Sequence, residues 1–309
     1  MTTTEAPPRP ARPDSIKAVP VRHPGRWIAV AVIAVLFAMA VHTVLTNPRF
    51  NWSQQGKYAF SQGIRTGVVL TIWLTIAAMI IGIVLGILIA VMRLSPNPVL
   101  RTTAWVYVWV FRGTPVLVQL LLWASLGALF PRVGVGIPFG PEFADGRTFN
   151  IVGAIAASLL GLGLNEAAYM AEVVRAGILS VDEGQWEASS ALGMTRVHTL
   201  RRVVLPQAMR VIVPPTGNET ISMLKTTSLV AYVPAYELLA KTQEIYSRTY
   251  QVIPMLIMAS LWYLAMTSVL MVGQYYIERH YAKGTVRNLP LTPMQRMLLV
   301  MRRDSSSAS

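Results

Sequence analysis

Two stretches of the sequence contain 27 consecutive residues without an aspartate, glutamate, lysine, arginine or histidine. They run from Thr66 to Met92 and from Gln251 to Ile277. A helix needs about 20 apolar residues to cross the hydrocarbon core of a bilayer. Because lipid offers no partner to an exposed backbone N–H or C=O group, a segment of this kind must satisfy its backbone internally, as a helix does. The two stretches therefore predict membrane-spanning helices.

Four other segments bring the expected number of membrane spans to six. The segment from Trp27 to Thr46 contains His42 as its only ionisable residue. We interpret it as a retained anchor, because the apolar part of a signal peptide is only about 7 to 15 residues long. The third expected span, Gly113 to Pro131, is free of charge, whereas the segments 150–175 and 206–236 contain charged residues and are weaker candidates. The expected fold is an all-α integral membrane protein with six transmembrane helices.

The distribution of lysine and arginine predicts the orientation of these spans. Only 13% of the residues are charged, against about 25% in soluble proteins. With the N-terminus in the cytoplasm, 19 of the 27 lysine and arginine residues fall on the cytoplasmic side and 7 on the other, and Lys225 lies in the membrane. This bias follows the positive-inside rule and predicts that both termini and the segment 175–210 are cytoplasmic. Since the cations lie in the breaks between apolar runs, the net charge of +13 does not indicate a nucleic acid partner.

The ends of the chain and several absent motifs limit the possible chemistry. Residues 1–26 predict a disordered basic arm, and residues 279–309 predict a basic cytoplasmic tail. The sequence has no cysteine, its four histidines are scattered, and it lacks the pattern G-x-x-x-x-G-K-[ST] that cradles the phosphates of ATP. We therefore expect no cofactor, no metal and no enzymatic activity of its own.

A polar insert separates two of the expected spans. Asp182 or Ser180 is a candidate N-cap for a short helix over 185–192, and Gly193 is a candidate for the left-handed residue that ends it. Pro206 suits the first turn of the helix that follows. The pattern predicts a rigid helix that protrudes between two spans and serves as a contact for another protein.

The insert also carries residues at a characteristic spacing, which are Glu187, Ala188, Ser189, Gly193, Val203, Leu205 and Pro206. This spacing resembles the EAA motif of ABC importer permeases, which reads EAA, three residues, G, nine residues, I, one residue, LP. Serine replaces the second alanine, and valine replaces isoleucine. Further stretches resemble the polar amino-acid type of that family: FRGTPVLVQL (111–120), NEAAYMAEVVRAGILSV (165–181), LPQAMRVIVPPTGNETISMLK (205–225) and IYSRTYQ (245–251).

The resemblance covers about residues 63–278 and implies a five-span core of the type I ABC importer, here with an additional N-terminal span. It implies that segment 182–206 is a cytoplasmic coupling region that fits a separate ATPase subunit. Glu187 would face basic or donor groups of that subunit, Ala188 and Ser189 would allow close approach, and Gly193 would make the turn. It also implies a second permease subunit, identical or related, and an extracytoplasmic amino-acid-binding protein.

Charged and polar residues inside the expected spans are candidates for the substrate path, because intramembrane charge is costly and usually faces a cavity. They are Glu166, Asn218, Glu219, Ser222 and Lys225. On one helix, Asn218, Ser222 and Lys225 follow helical spacing, as do Glu219, Ser222 and Thr226. Structural alternatives are an interhelical role for Glu219 and Lys225, or a Lys225 side chain that reaches the outer interface. Arg112, Gly113, Thr114 and Pro115 fit a helix start with either an anchoring or a gating role.

Two other functional classes are consistent with parts of the sequence. Broken helices and buried carboxylates also suit an ion-coupled secondary transporter, although no pair of inverted repeats is visible. A channel or scaffold would not need the spacing from Glu187 to Pro206. The substrate also stays open, because the intramembrane acids favour a cationic or zwitterionic amino acid whereas the subfamily resemblance points to glutamate or glutamine.

Overall fold

The computed structural model of the chain describes residues 24–137 and 142–281. The predicted arm lies mostly outside these residues, and so does the tail beyond Tyr281. The chain divides into two compact units, 1–51 and 52–309. In the first unit, helix α1 (Pro24–Thr46) is followed by a 3₁₀ turn, Pro48–Phe50. Every residue from Trp27 to Thr46 is exposed within the chain, which is typical of an apolar helix surrounded by lipid.

The second unit is a helical bundle with one small hairpin. Its helices are α2 (Trp52–Ala59), α3 (Gln62–Arg93), α4 (Pro98–Gly113), α5 (Val116–Ala124), α6 (Leu126–Leu129), α7 (Thr148–Ile151), α8 (Ala154–Leu179), α9 (Glu183–Ala191), α10 (Arg196–Thr199), α11 (Leu205–Thr226), α12 (Leu238–Thr249) and α13 (Val252–Tyr281). One π-helical segment, Leu200–Val204, joins α10 to α11 without a break, and a 3₁₀ helix, Thr227–Tyr232, follows α11. Strands β1 (Arg132–Gly136) and β2 (Glu142–Arg147) pair antiparallel.

The count of membrane spans differs from the expected six. By length and composition, four described helices can cross a bilayer, namely α1, α3, α8 and α13, and the pair α4 and α5 makes a fifth if it is one bent span. The expected span 113–131 is interrupted, because α5 covers only Val116–Ala124 and the short helix α6, Leu126–Leu129, follows it before the hairpin begins at Arg132. The expected span 206–236 contains α11, whose many polar residues keep it below the apolar content of the other spans. The hairpin was not predicted by the all-α assignment.

The bundle is built around the contact between α3 and α8, where glycines of α3 let the two backbones come close. A Cβ atom on Gly82 would overlap with Cγ of Glu166, and one on Gly86 would lie 2.6 Å from Cβ of Met170. Small residues at helix interfaces allow this close approach in membrane proteins. From the first of these pairs to the second, the residue number increases by four on both helices, so α3 and α8 run parallel.

We expect Gly86→Ala to destabilise the bundle. The new methyl group would also lie 3.1 Å from backbone atoms of Ala167 and Ala171, which cannot yield as a side chain can. Overpacking of this kind costs about 1–3 kcal/mol, so the midpoint of thermal unfolding in detergent should fall. Gly273→Ala on α13 is the control, because among residues 24–137 and 142–281 nothing beyond its own stretch of helix lies within 4 Å of the new Cβ. Equal midpoints for both variants would contradict the proposed packing.

Polar contacts fix the two ends of the bundle. At one end, Glu237 accepts hydrogen bonds from the Tyr263 hydroxyl at 2.7 Å and the Thr71 hydroxyl at 3.3 Å. At the other end, Arg93 on α3 pairs with Glu172 on α8 at 3.3 Å. Gly177 near the end of α8 lies against the beginning of α11, at Ala208 and Ile212. The C-terminal ends of α3 and α8 therefore share one end of the bundle with the insert between α8 and α11.

The two prolines inside α11 do not end the helix. The helix continues through Pro214 and Pro215 from Leu205 to Thr226. Each proline lacks an N–H group, so a carbonyl four residues earlier loses its helical partner. Nearby, Gln274 of α13 donates a hydrogen bond from Nε2 to the Pro214 carbonyl at 2.8 Å. This contact ties α13 to α11 at the proline pair, whereas the carbonyls that the prolines leave without a helical donor are those of Arg210 and Val211.

Candidate functional site

A polar cavity of about 630 Å³ lies between the junction of α4 and α5, the middle of α8 and the second half of α11. It contains three of the charged residues that the sequence singled out, Arg112, Glu166 and Glu219. Its walls are formed by Arg112, Gly113, Thr114, Pro115, Val116, Asn165, Glu166, Tyr169, Glu219, Ser222, Met223 and Thr226. Residues from three separate parts of the sequence therefore meet at one site.

A bend of 100° between α4 and α5 forms one wall of the cavity. Thr114 has an extended backbone, and Pro115 is the N-cap of α5. Gln119 donates from Nε2 to the carbonyls of Phe111 at 3.0 Å and Thr114 at 3.1 Å. Asn165 of α8 donates to the same Phe111 carbonyl at 2.8 Å and to Oε1 of Gln119 at 3.2 Å. These amides satisfy carbonyls that the bend leaves without helical partners, and so they hold the wall in place.

The α8 wall contributes a buried acid and an aromatic ring. Glu166 is only 4% exposed, and its Oε1 has no hydrogen-bond partner among residues 24–137 and 142–281. Next to it on α8, the ring of Tyr169 lies 5.0 Å from Cζ of Arg112, within the range of a cation–π interaction. A buried carboxylate oxygen without a donor is costly, and it is a suitable partner for a cationic ligand group.

The α11 wall is the polar face formed by Glu219, Ser222 and Thr226. These residues follow i, i+3, i+7, and so they lie on one side of the helix. Asn218 and Lys225 are exposed and do not line the cavity within the chain. In the described part of the chain, Glu219 and Lys225 form no ion pair with each other, as their spacing of six residues predicts. The expected single stripe thus divides, with one set of residues in the cavity and the other outside it.

All four residues of the candidate gate line the cavity. Arg112, Gly113, Thr114 and Pro115 are exposed and line the cavity together. The expectation that they begin a helix needs a correction, because Arg112 and Gly113 end α4 and the next helix starts only at Val116. The cause is the 100° bend, which the sequence does not reveal.

The insert between α8 and α11 forms a second candidate site at one end of the bundle. Asp182 caps α9 by accepting a hydrogen bond from the Gly184 N–H at 2.8 Å. Gly193 has φ +74°, the left-handed conformation that its position after α9 predicts. Pro206 stands in the first turn of α11.

Two faces of α9 have different environments. Ser189 is buried and donates from Oγ to the Gln185 carbonyl at 2.7 Å. Trp186 packs partly buried against the main core. Glu187 and Ala188 are exposed. The helix is thus anchored on one side and presents two of the EAA-type residues on the other.

Sequence reasoning missed Gln119 and the ion pairs of Glu172. Gln119 is the only amide in the apolar helix α5, and a lone polar residue in such a segment is a signal for a structural or functional contact. Glu172 bridges Arg93 at 3.3 Å and Arg175 at 2.8 Å. The pair with Arg175 follows i, i+3 spacing, whereas the contact with Arg93 links residues far apart in sequence.

Comparison with known proteins gives matches over most of the chain. The pattern of the family described as "Binding-protein-dependent transport system inner membrane component" matches residues 82–283. The chain is 50% identical over 281 residues to the arginine transport system permease protein ArgU of Corynebacterium glutamicum, covering 90% of this chain and 87% of that protein. It is 37% identical to the probable amino-acid ABC transporter permease protein YckA of Bacillus subtilis, covering 63% and 78% of the two chains.

A solved structure gives a similar result for the fold. The crystal structure of an amino acid ABC transporter with histidines superposes with a TM-score of 0.61 at 35% identity. The match covers 71% of this chain and 94% of that chain.

Proposed function

The chain belongs to the family of binding-protein-dependent transport system inner membrane components, and from this we propose that it forms the amino-acid path of an ATP-driven importer. It is a multi-pass membrane protein and an ABC permease similar to named amino-acid permeases. The observation that carries the proposal is 50% identity to an arginine permease over 90% of the chain. The same likeness favours this function over an ion-coupled secondary transporter.

We place the contact with a separate ATPase subunit at residues 182–206. The exposed carboxylate of Glu187 suits basic or donor groups, and Ala188 beside it permits close approach. Gly193 makes the left-handed turn that separates α9 from α10, and Val203, Leu205 and Pro206 connect the insert to α11. Anchoring through Ser189 and Trp186 gives the helix a fixed position on the bundle.

The orientation and the other partners follow from the same assignment. The excess of lysine and arginine at the end of the insert supports a cytoplasmic location for that end and for both termini in our proposal. A second permease subunit, identical or related, completes the path, and an extracytoplasmic binding protein delivers the amino acid. ATP hydrolysis belongs to the partner subunit.

We assign the polar cavity to the substrate path. Arg112 can pair with the α-carboxylate of an amino acid, since the guanidinium fork matches carboxylate geometry. Glu166 and Glu219 can pair with its ammonium group or with a cationic side chain. Two acids against one arginine favour a cationic amino acid, which is consistent with the arginine permease among the relatives. Asn218 and Lys225, which the sequence also suggested, stand outside the cavity of the single chain and are not among its wall residues.

Reconstitution tests the proposed function. Proteoliposomes that contain this chain with its ATPase subunit and its binding protein should take up labelled arginine only when ATP is present. Uptake should survive collapse of the ion gradients with ionophores, because no gradient drives the cycle. Liposomes without the ATPase are the control. Uptake by this chain alone, driven by an ion gradient, would contradict the proposal.

A further inference from the structure

A second pocket, of about 290 Å³, lies at the end of the bundle that also carries the insert. It is formed where α3 ends, where α4 begins and where α8 approaches its own end. Its lining residues are Arg93, Leu94, Arg101, Thr102, Trp105 and Arg175. Three arginines from three helices therefore surround one small space.

The positive charge of this pocket exceeds what its acid can balance. Glu172 contacts both Arg93, at 3.3 Å, and Arg175, at 2.8 Å, and so one carboxylate holds two guanidinium groups together. Arg101 has no ion-pair partner in the part of the chain that the structure describes. It lies in the first turn of α4, where the helix dipole adds positive potential. The pocket thus carries a net charge of about +2 and suits a phosphate, which arginine binds in a bidentate manner.

The surroundings of the pocket are apolar and aromatic. Trp105 stacks on Trp109 one turn along α4, with parallel rings whose centroids are 6.1 Å apart. The two tryptophan residues are 51% and 64% exposed, and Leu94 and Leu100 are exposed as well. Tryptophan is enriched at the level of the lipid headgroups. A ligand that joins a phosphate to hydrocarbon chains would satisfy both parts of this surface, whereas a free phosphate would leave the apolar part uncovered.

We propose that the pocket formed by Arg93, Arg101, Thr102, Trp105 and Arg175 binds the phosphodiester headgroup of an anionic phospholipid. The lipid comes from the leaflet on the side of the insert, which the charge distribution assigns to the cytoplasm. Basic pockets between transmembrane helices on this side are suited to anionic headgroups. Arg101 is the residue that determines selectivity, because Arg93 and Arg175 are already paired with Glu172.

Binding of short-chain lipids to the purified full-length chain tests this site. Dissociation constants for dihexanoyl phosphatidylglycerol and dihexanoyl phosphatidylcholine should be measured below their micellar concentrations. Arg101→Gln should weaken phosphatidylglycerol binding about fivefold, and Arg101→Glu roughly 25-fold, given the usual contribution of one basic residue near an anionic surface. Phosphatidylcholine binding should change little. Arg248→Gln, which removes an exposed arginine at the other end of the bundle, is the matched control.

Several results would overturn the proposal. Unchanged phosphatidylglycerol binding by Arg101→Glu would do so, and so would equal affinity of the wild type for both lipids. Displacement of the lipid by equimolar inorganic phosphate would identify a soluble anion as the ligand. If the Arg101 variants bind phosphatidylglycerol normally but no longer associate with the ATPase, the pocket is a protein contact instead. Thr102→Val keeps the charge and removes one donor, so its expected smaller loss provides the test if the Arg101 variants do not fold.

Discussion

Replacement of Glu187 by lysine is expected to abolish ATP-driven uptake and to weaken association with the ATPase subunit roughly 30-fold or more. The carboxylate is exposed on α9 and faces basic or donor groups of the partner in our proposal. Lysine would place a like charge against those groups and leave them without an acceptor. The bundle itself should be unaffected, because α9 is anchored through Ser189 and Trp186. Uptake into proteoliposomes and co-purification of the ATPase measure the two effects.

The matched control is Gln185→Lys. Gln185 is exposed on the same short helix, two residues earlier and so about 200° around the axis. Its lysine variant should retain most of the uptake and ATPase binding, while both variants should insert into the membrane in normal amounts. Equal loss in the two variants would show that position on the helix is unimportant, and normal transport by Glu187→Lys would exclude the proposed coupling contact.

Neutralising the buried acid of the polar cavity is the second change with a large expected effect. Glu166→Gln keeps the shape of the side chain but removes its charge, so arginine uptake should fall roughly 10- to 100-fold, the range for a lost hydrogen bond to a charged group. Glu219→Gln should act in the same direction. ATP-dependent uptake of labelled arginine measures both, with ATPase association as a separate readout that should stay normal.

Lys225→Gln is the control for this series, since it removes a charge from the same helix as Glu219 but outside the cavity. It should leave arginine uptake within about twofold of the wild type, as is usual for a surface substitution of about 0.5 kcal/mol or less. Wild-type uptake by Glu166→Gln would remove this acid from the substrate path. A parallel loss of ATPase association would assign it a structural role instead.

Parts of the structure that depend only on residues close together in the sequence were predicted correctly. The charge-free runs predicted α3 and α13, because length and composition alone decide whether a helix can cross a bilayer. Gly193 was predicted as left-handed from its place after a short helix, and it has φ +74°. Helical spacing correctly placed Glu219 and Ser222 on one face, which now lines the cavity.

Features that depend on distant partners could not be predicted in this way. The bend after Gly113 rests on Asn165, more than fifty residues later, which donates to the Phe111 carbonyl. From the sequence, a new helix is expected to begin at Arg112 to Pro115, whereas α4 continues to Gly113 and α5 begins only at Val116. Lys225 matched the helical spacing of Ser222, but the packing of α11 against α8 decides which residues face the cavity. Periodicity gives the faces of a helix, and only the tertiary contacts show what each face meets.

A continuous helical path from Arg196 to Thr226 connects the insert to the α11 wall of the cavity. Its 31 residues span about 45 Å, and Pro214 and Pro215 divide it into a longer arm toward the insert and a shorter arm toward Glu219 and Thr226. A rotation of roughly 10° about the prolines would swing Thr226 through about 3 Å, given a short arm of about 18 Å. A displacement of that size is comparable to the width of a water molecule, so in the proposed coupling a small movement of the insert would shift the α11 wall of the cavity.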